Sequence, residues 1–330
     1  MWLRCLERLG FIWPRILASL RRQKKVGLLT WLYGTALRRL TRVTFPLWQQ
    51  LGVHVTPVHY YQPIPDTRAL TDSVWEGRSE LVGVDLNQSA QLKLLDEFSA
   101  GWKQEYEKFP RSKEHVQHSQ FYMDNSAFTS VDAEVLYCMI RMFKPRKIIE
   151  IGSGYSTLLS AQAILRNKAE IGLSCELLAC DPYPSEFLVK GFPGLAGVVQ
   201  KRVEEIPLSF FASLVENDIL FIDSSHVLKI GGDVQFEFLE ILPRLANGVL
   251  VHVHDIFLPA EYLKEWVKHD REFFSEQYLL QAFLTFNKSF RVLWAASYMH
   301  LNHPEKLEAA FCSYERTQRW PGSFWIQRVN

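Results

Sequence analysis

Apolar and polar positions alternate with two different periods along this chain. From Trp2 to Leu20, Trp2, Leu6, Leu9, Trp13, Ile16 and Leu20 recur at helical spacing, with Arg4, Arg8 and Arg15 between them. Val26 to Leu40 repeats the pattern through Leu29, Leu32, Tyr33, Ala36, Leu37 and Leu40. Pro46, Pro57, Pro63 and Pro65 then predict an extended connector over residues 43–70. A helix is predicted from Ser89 to Tyr106, with Leu92, Leu95, Phe98 and Trp102 on one side, followed by a polar loop from Lys108 to Asn125. Another opens at Ser130 or Asp132 and stops at Pro145.

Beyond Pro145, short solid apolar runs take over. Ile148–Ile151, Glu176–Cys180, Gly197–Gln200, Asp218–Ile222, Val249–Val253, Phe290–Ala295 and Phe324–Val329 read as strands. Between them, helices are predicted from Thr157 to Asn167, near 207–215, over 230–242, near 260–269 and over 276–286. This alternation predicts an α/β doubly wound Rossmann-like sheet that binds ligands at its strand carboxyl ends. Glu150, Asp181, Asp223, His254 and Asp255 all fall at those ends.

The segment Lys147–Thr157 is the most informative. Its strand runs into a turn made by Gly152 and Gly154, with Ser156 placed to cap the following helix. A helix N-terminus after a glycine turn suits a nucleotide-sized ligand. Glu150 would gain nothing from a pyrophosphate, whereas a ligand carrying an ammonium would give it a partner. Asp181 is placed to accept hydrogen bonds from ribose hydroxyls; the alternative is a turn-forming Asp before Pro182.

Hydrophobic content of 48% and charged content of 22% are those of an ordinary soluble globular protein. Five cysteines, scattered and without a C-x-x-C pair, argue against a disulfide framework or thiolate zinc site and suit a reducing, cytoplasmic setting. No apolar run is long enough to span a membrane, and Pro14 and Arg15 break any signal-peptide core. The net charge of +1 conceals an asymmetry, because residues 1–42 hold ten Lys/Arg against Glu7 alone. That basic amphipathic extension suits either a helical hairpin packed on the main domain or peripheral contact with an anionic membrane or a partner. No aromatic-basic module or zinc motif signals specific nucleic-acid binding.

Glu150-Ile-Gly-Ser-Gly-Tyr-Ser, then Asp181, then Phe221-Ile-Asp-Ser-Ser-His226 and Val251-His-Val-His-Asp255, together resemble a class I S-adenosylmethionine-dependent methyltransferase. Within that superfamily the chain is similar to the small-molecule O-methyltransferase-like branch. The resemblance covers Asp124 to Val329 and implies a seven-stranded sheet with an antiparallel final strand. It divides the chain into a helical extension (1–42), a connector and cap region (43–123) and a methyltransferase domain (124–330).

Carried over, the resemblance places Glu150 against the methionine part of S-adenosyl-L-methionine, over Gly152 and Gly154. Asp181 would hold the ribose, Val203 or Glu204 would border the adenine, and Asp223 would lie beside the methyl group. In metal-dependent relatives an acid at the Asp223 position and an acidic pair after the next strand hold a divalent ion. Here that pair reads His254-Asp255, so Asp223, His254 and Asp255 are the implied metal set. His226 is either a neutral general base for an acceptor hydroxyl or a structural loop histidine. His252 reads as structural, Asp124–Ser130 as a candidate lid, and Glu276–Phe283 as a core helix. The expected acceptor is a hydroxyl of a small molecule or saccharide. Two alternatives remain at this point: a non-catalytic binding protein with the cofactor fold, and a nucleotide-dependent oxidoreductase, which Glu150 and the missing third glycine oppose.

Overall fold

The computed structural model describes residues 28–116 and 120–330. The Trp2–Leu20 stretch and the basic link Arg21–Lys25 lie outside the described residues. The chain divides into two units, Met1–Leu70 and Thr71–Asn330. In the first, helices Leu28–Val43 and Phe45–Gln50 are followed by irregular backbone to Leu70. Pro46 sits in the first turn of the second helix, where its missing N–H costs nothing.

The second unit is built on one sheet of seven strands: β1 Lys147–Ile151, β2 Glu176–Cys180, β3 Gly197–Val199, β4 Ile219–Ile222, β5 Leu250–Val253, β6 Phe290–Ala295 and β7 Phe324–Arg328. Their order is β3-β2-β1-β4-β5-β7-β6. β1 to β5 pair in parallel, and β7 runs antiparallel to both β5 and β6. This is the expected doubly wound methyltransferase sheet, closing strands included.

Strand side chains alternate between two cores. Ile148, Leu177, Ile219, Phe221 and Leu250 face one; Ile149, Leu220, Ile222, Val251 and Val253 face the other. Because both faces are buried, the strands read as unbroken apolar runs rather than alternating ones. Helices Gln88–Tyr106, Asp132–Phe143 and Tyr155–Ile171 cover the first face, and Glu276–Leu284 packs on the second. The Gln88–Tyr106 helix is therefore core, with Phe98 fully buried and its ring 6.4 Å from that of Trp294.

Register fixes one cross-strand row through the middle of the sheet. Glu150 stands beside Phe221, Phe221 beside His252, and His252 beside Trp325. The His252 ring stacks on Phe221 at 3.9 Å. Burial comes first in pushing the His252 imidazole well below its ordinary value, helped by the charge of His254, so it is neutral packing material.

Four expected elements differ. The connector expected to be extended over 43–70 opens with the Phe45–Gln50 helix, because Pro46 falls in its first turn, where proline is tolerated. Over 230–242 an α-helical turn, Asp233–Phe236, passes into a π-helical turn, Glu237–Ile241, its start delayed by Gly231 at φ +64°. Near 260–269 regular backbone starts only at Lys264 and continues as the π-helical turn Trp266–Asp270. There Phe257, Leu258 and Tyr262 are buried from irregular backbone, and the Tyr262 hydroxyl accepts the Gln277 N–H, so tertiary packing overrides the helical spacing. The candidate lid is pinned down. Phe128 is buried against Phe221 and His254, and Asn125 holds the backbone of Tyr122, Ala127 and Phe128.

Candidate active site

A cleft of about 480 Å³ opens at the carboxyl ends of β1, β2 and β4. Ile151 to Ser153, Cys180 to Tyr183, Arg202 to Glu204 and Asp223 to Ser225 line it, joined by Lys229 and Asp233. The sheet ladder continues into these ends: Gly152 N–H donates to Cys180, Asp223 N–H to Ile151 and His254 N–H to Ile222, each at 2.8–2.9 Å. Gly152 (φ +82°) has a second reason to be glycine, because a Cβ there would lie 1.9 Å from the Asp223 carbonyl oxygen. Its role is to let two strand ends meet. At Gly154 a Cβ would meet nothing within 4 Å, and this is where the turn is open.

The helix after the turn begins at Tyr155, two residues earlier than expected. Ser156 is not its cap. Thr157 Oγ1 accepts the Gly154 N–H at 2.9 Å, while the Ser156 hydroxyl donates to Glu150 Oε1 at 2.5 Å. Glu150 is only 1% exposed, because its register puts it on the covered sheet face, and its Oε2 has no hydrogen-bond partner. Burial pushes its carboxyl up to about 8, against the pull of the Ser156 and Thr157 hydroxyls.

Asp181 reaches the cleft with both oxygens engaged. Oδ2 accepts from the Ser153 hydroxyl at 2.5 Å and Oδ1 from the Tyr183 N–H at 2.7 Å. Cofactor placement and turn formation, separate readings of the sequence, are compatible in this geometry. Val203 is buried in the cleft wall, and Glu204 beside it is paired with Arg202 at 2.8 Å.

The second half of the site lies where β4 and β5 end. His226 Nε2 is 3.3 Å from Asp223 Oδ1 and 3.4 Å from Asp255 Oδ2. Its other nitrogen, Nδ1, is 2.8 Å from Glu276 Oε2. One ligand atom each from Asp223, His226 and Asp255 lie within 4.8 Å of one another. His254, the histidine expected in that set, instead has Nε2 3.8 Å from Asp255 and Nδ1 3.3 Å from His252. The sequence offered two histidines, and the fold aims His226 between the two aspartates. Both His226 (φ +58°) and Asp255 (φ +54°) hold left-handed backbone, the conformational strain that concentrates at functional sites.

Charge around this cluster is uneven. Burial works against ionised Asp223, yet the imidazoles of His254 and His226 outweigh it and hold the carboxyl at about 2. Burial also works against a charged His226, but bonds to Asp223 and Glu276 and the charge of Asp255 raise it well above its ordinary value. Asp255 is pushed up by burial and only partly drawn back by the two histidines. Without an ion, His226 therefore keeps its proton at neutral pH, and the neutral imidazole base expected from the sequence is not its resting form.

Sequence reasoning missed the carboxylates behind His226. Glu276 is fully buried at the start of its helix, and the His226 carbonyl accepts the N–H groups of Ser275 and Glu276, locking loop to helix. Glu237 is also fully buried and accepts from the Ser224 hydroxyl. An acid in a first helical turn is ordinarily explained by the helix dipole, so nothing in one sequence marked Glu276 as inward-facing.

Residues 149–256, which run from within β1 through β5 and hold Asp181, Asp223, His226 and Asp255, match the family described as "Methyltransferase domain". These residues form a methyltransferase domain, on a sheet of the class I S-adenosylmethionine-dependent kind. The enzyme is 32% identical over 178 residues, 52% of this chain and 78% of the relative, to an "Uncharacterized protein" of Archaeoglobus fulgidus. It is also similar to two solved structures of CmcI, one described as an apo-structure and one as Mg-SAM. Each is 14% identical with a TM-score of 0.32, covering 69% of this chain and 84% of CmcI. Among the described residues, no helix of the methyltransferase is long and apolar enough to cross a membrane.

Proposed function

We propose that this methyltransferase acts on a hydroxyl of a small molecule or saccharide, with a divalent ion held by Asp223, His226 and Asp255. The observation that carries the reading is the convergence of those three side chains within 4.8 Å, with Asp223 shared by the cofactor cleft. One imidazole nitrogen and two carboxylates suit Mn, Fe or Zn, and the carboxylate oxygens suit Mg. Held there, an ion would lower the pKa of a coordinated acceptor hydroxyl.

Two features flanking the cleft support S-adenosyl-L-methionine as its ligand: Gly154 leaves the turn open, and Glu150, one residue before the lining begins, has a buried oxygen that lacks a partner. An ammonium gives that carboxylate a reason to be ionised. Asp181 would bind the ribose hydroxyls, and Val203 and Glu204 would border the adenine. In the transfer, the acceptor oxygen forms a bond to the methyl carbon as the carbon–sulfur bond breaks. The sulfur keeps that electron pair, and the hydroxyl proton passes to a base. Asp223, ionised at neutral pH, stands where it can orient the hydroxyl and accept its hydrogen bond. Sulfonium is already a good leaving group, so alignment supplies the larger share, on the order of 7–11 kcal/mol, and proton removal about 10²–10⁴-fold.

Incubating the purified chain with labelled methyl donor and a hydroxyl-rich extract tests this. The expected product is a base-stable methyl ether whose formation is lost in EDTA and restored by Mn or Mg. Label in base-labile esters or on nitrogen overturns the hydroxyl assignment, and activity that persists through EDTA overturns the ion.

A further inference from the structure

We propose that Leu28–Gln50 is an interfacial anchor that seats the enzyme on an anionic lipid surface, independently of which acceptor it methylates. The first observation is exposure. Of twenty-two large apolar side chains exposed among the described residues, ten fall between Leu37 and Ile64, too dense a group for ordinary surface scatter. Leu37, Leu40 and Val43 are 61%, 56% and 79% exposed, and their three-residue spacing sets them on one arc of their helix. Leu47 and Leu51 continue the row at 53% and 65%, and the Phe45–Gln50 helix buries none of its residues.

The second observation is charge. Arg38 and Arg42 are exposed on the side of the helix away from that arc, with Arg39 at its edge. From Arg8 to Pro65 the chain has nine Lys/Arg and not one Asp or Glu. A helix with an apolar arc and an arginine-bearing polar face lies in the plane of a bilayer interface, where acyl chains take the leucines and anionic headgroups meet the arginines. Its 16 residues reach about 24 Å, short of the roughly 30 Å hydrocarbon thickness, so it lies on the surface rather than spanning it. A second copy of the chain would cover the leucines but leave the opposite, arginine-bearing face without an anionic partner. Nucleic acid would satisfy the arginines but give the exposed leucines nothing.

Flotation of the full chain with phosphatidylcholine vesicles, with and without phosphatidylglycerol, tests the proposal. The intact protein should float with the anionic vesicles and stay behind with the neutral ones. Leu37→Asp with Leu40→Asp should abolish flotation. Arg38→Gln and Arg42→Gln should each lower partitioning about fivefold. S-adenosylhomocysteine affinity should be unchanged in all variants, which shows that the catalytic unit has folded. Failure of the intact chain to float, or equal flotation of the leucine pair and wild type, overturns the assignment. So does retention on nucleic acid that ignores the leucine pair while anionic vesicles bind nothing.

Discussion

Glu276 Oε2 lies 2.8 Å from His226 Nδ1, and this contact decides which nitrogen of the histidine faces the site. With Nδ1 directed at a fully buried carboxylate, Nε2 is left pointing between Asp223 and Asp255. Carboxylates behind a working imidazole fix its tautomer and ring orientation. Glu276→Ala should lower kcat by about 10–100-fold and leave the KM for S-adenosylmethionine unchanged. Glu276→Gln, whose carbonyl still accepts from Nδ1–H, should recover much of the loss. Equal damage from both variants, or a change confined to KM, would refute the positioning role.

Glu150 should impose a pH dependence on stability. Its carboxyl is raised from the ordinary 4.5 to about 8, so between those values the folded protein holds a proton that the unfolded chain releases. Stability is therefore full below about 4.5 and declines as pH rises toward 8, by roughly a few kcal/mol. Glu150→Gln, which keeps an acceptor for the Ser156 hydroxyl, should unfold at a higher temperature than wild type at pH 8 and at about the same temperature near pH 4.5. The same variant should bind S-adenosylhomocysteine more weakly, having lost the partner of the ammonium. Parallel melting curves across that pH range would show that the carboxylate is not the cause.

Gly152→Ala should be severe. The added methyl would stand 1.9 Å from the Asp223 carbonyl, on backbone at φ +82° that alanine resists. Urea unfolding should show a loss of more than about 2 kcal/mol. A variant as stable as wild type would mean that the two strand ends can part without cost.

At Asp181 the two roles can be separated. Asp181→Asn keeps an oxygen for the Tyr183 N–H and so should retain the turn and the melting temperature. Losing the charge should weaken S-adenosylhomocysteine binding about tenfold, worth roughly 1.4 kcal/mol, by calorimetry. Lower stability at unchanged affinity would leave Asp181 as a turn residue only.

The sheet was legible because burial on both faces leaves no room for polar residues within a strand, so the few at strand ends stood out. Asp181, Asp223 and Asp255 could be placed at one edge on that ground alone. What could not be read is direction. Its place at a strand end, and the family resemblance, put His254 in the site, but the left-handed backbone of His226 and Asp255 turns a loop side chain into the position instead. Glu276 was hidden for a related reason: it reaches His226 across 50 residues of sequence, through a helix whose apolar pattern explains itself without any site. Side chains that converge through loops leave no period to detect.

The ion proposed for Asp223, His226 and Asp255 carries its own signature in protons. His226 is raised well above its ordinary value by its carboxylate neighbours, so at neutral pH an arriving ion must displace its proton. Apparent affinity for Mn should therefore rise with pH, by about tenfold per unit, until the imidazole is neutral on its own. Titrations in buffers of different ionisation enthalpy should report close to one proton released per ion bound. In His226→Ala, affinity should fall and proton release should drop away with it. Binding that releases no proton in the wild type, or that survives loss of His226 undiminished, would move the ion off this histidine.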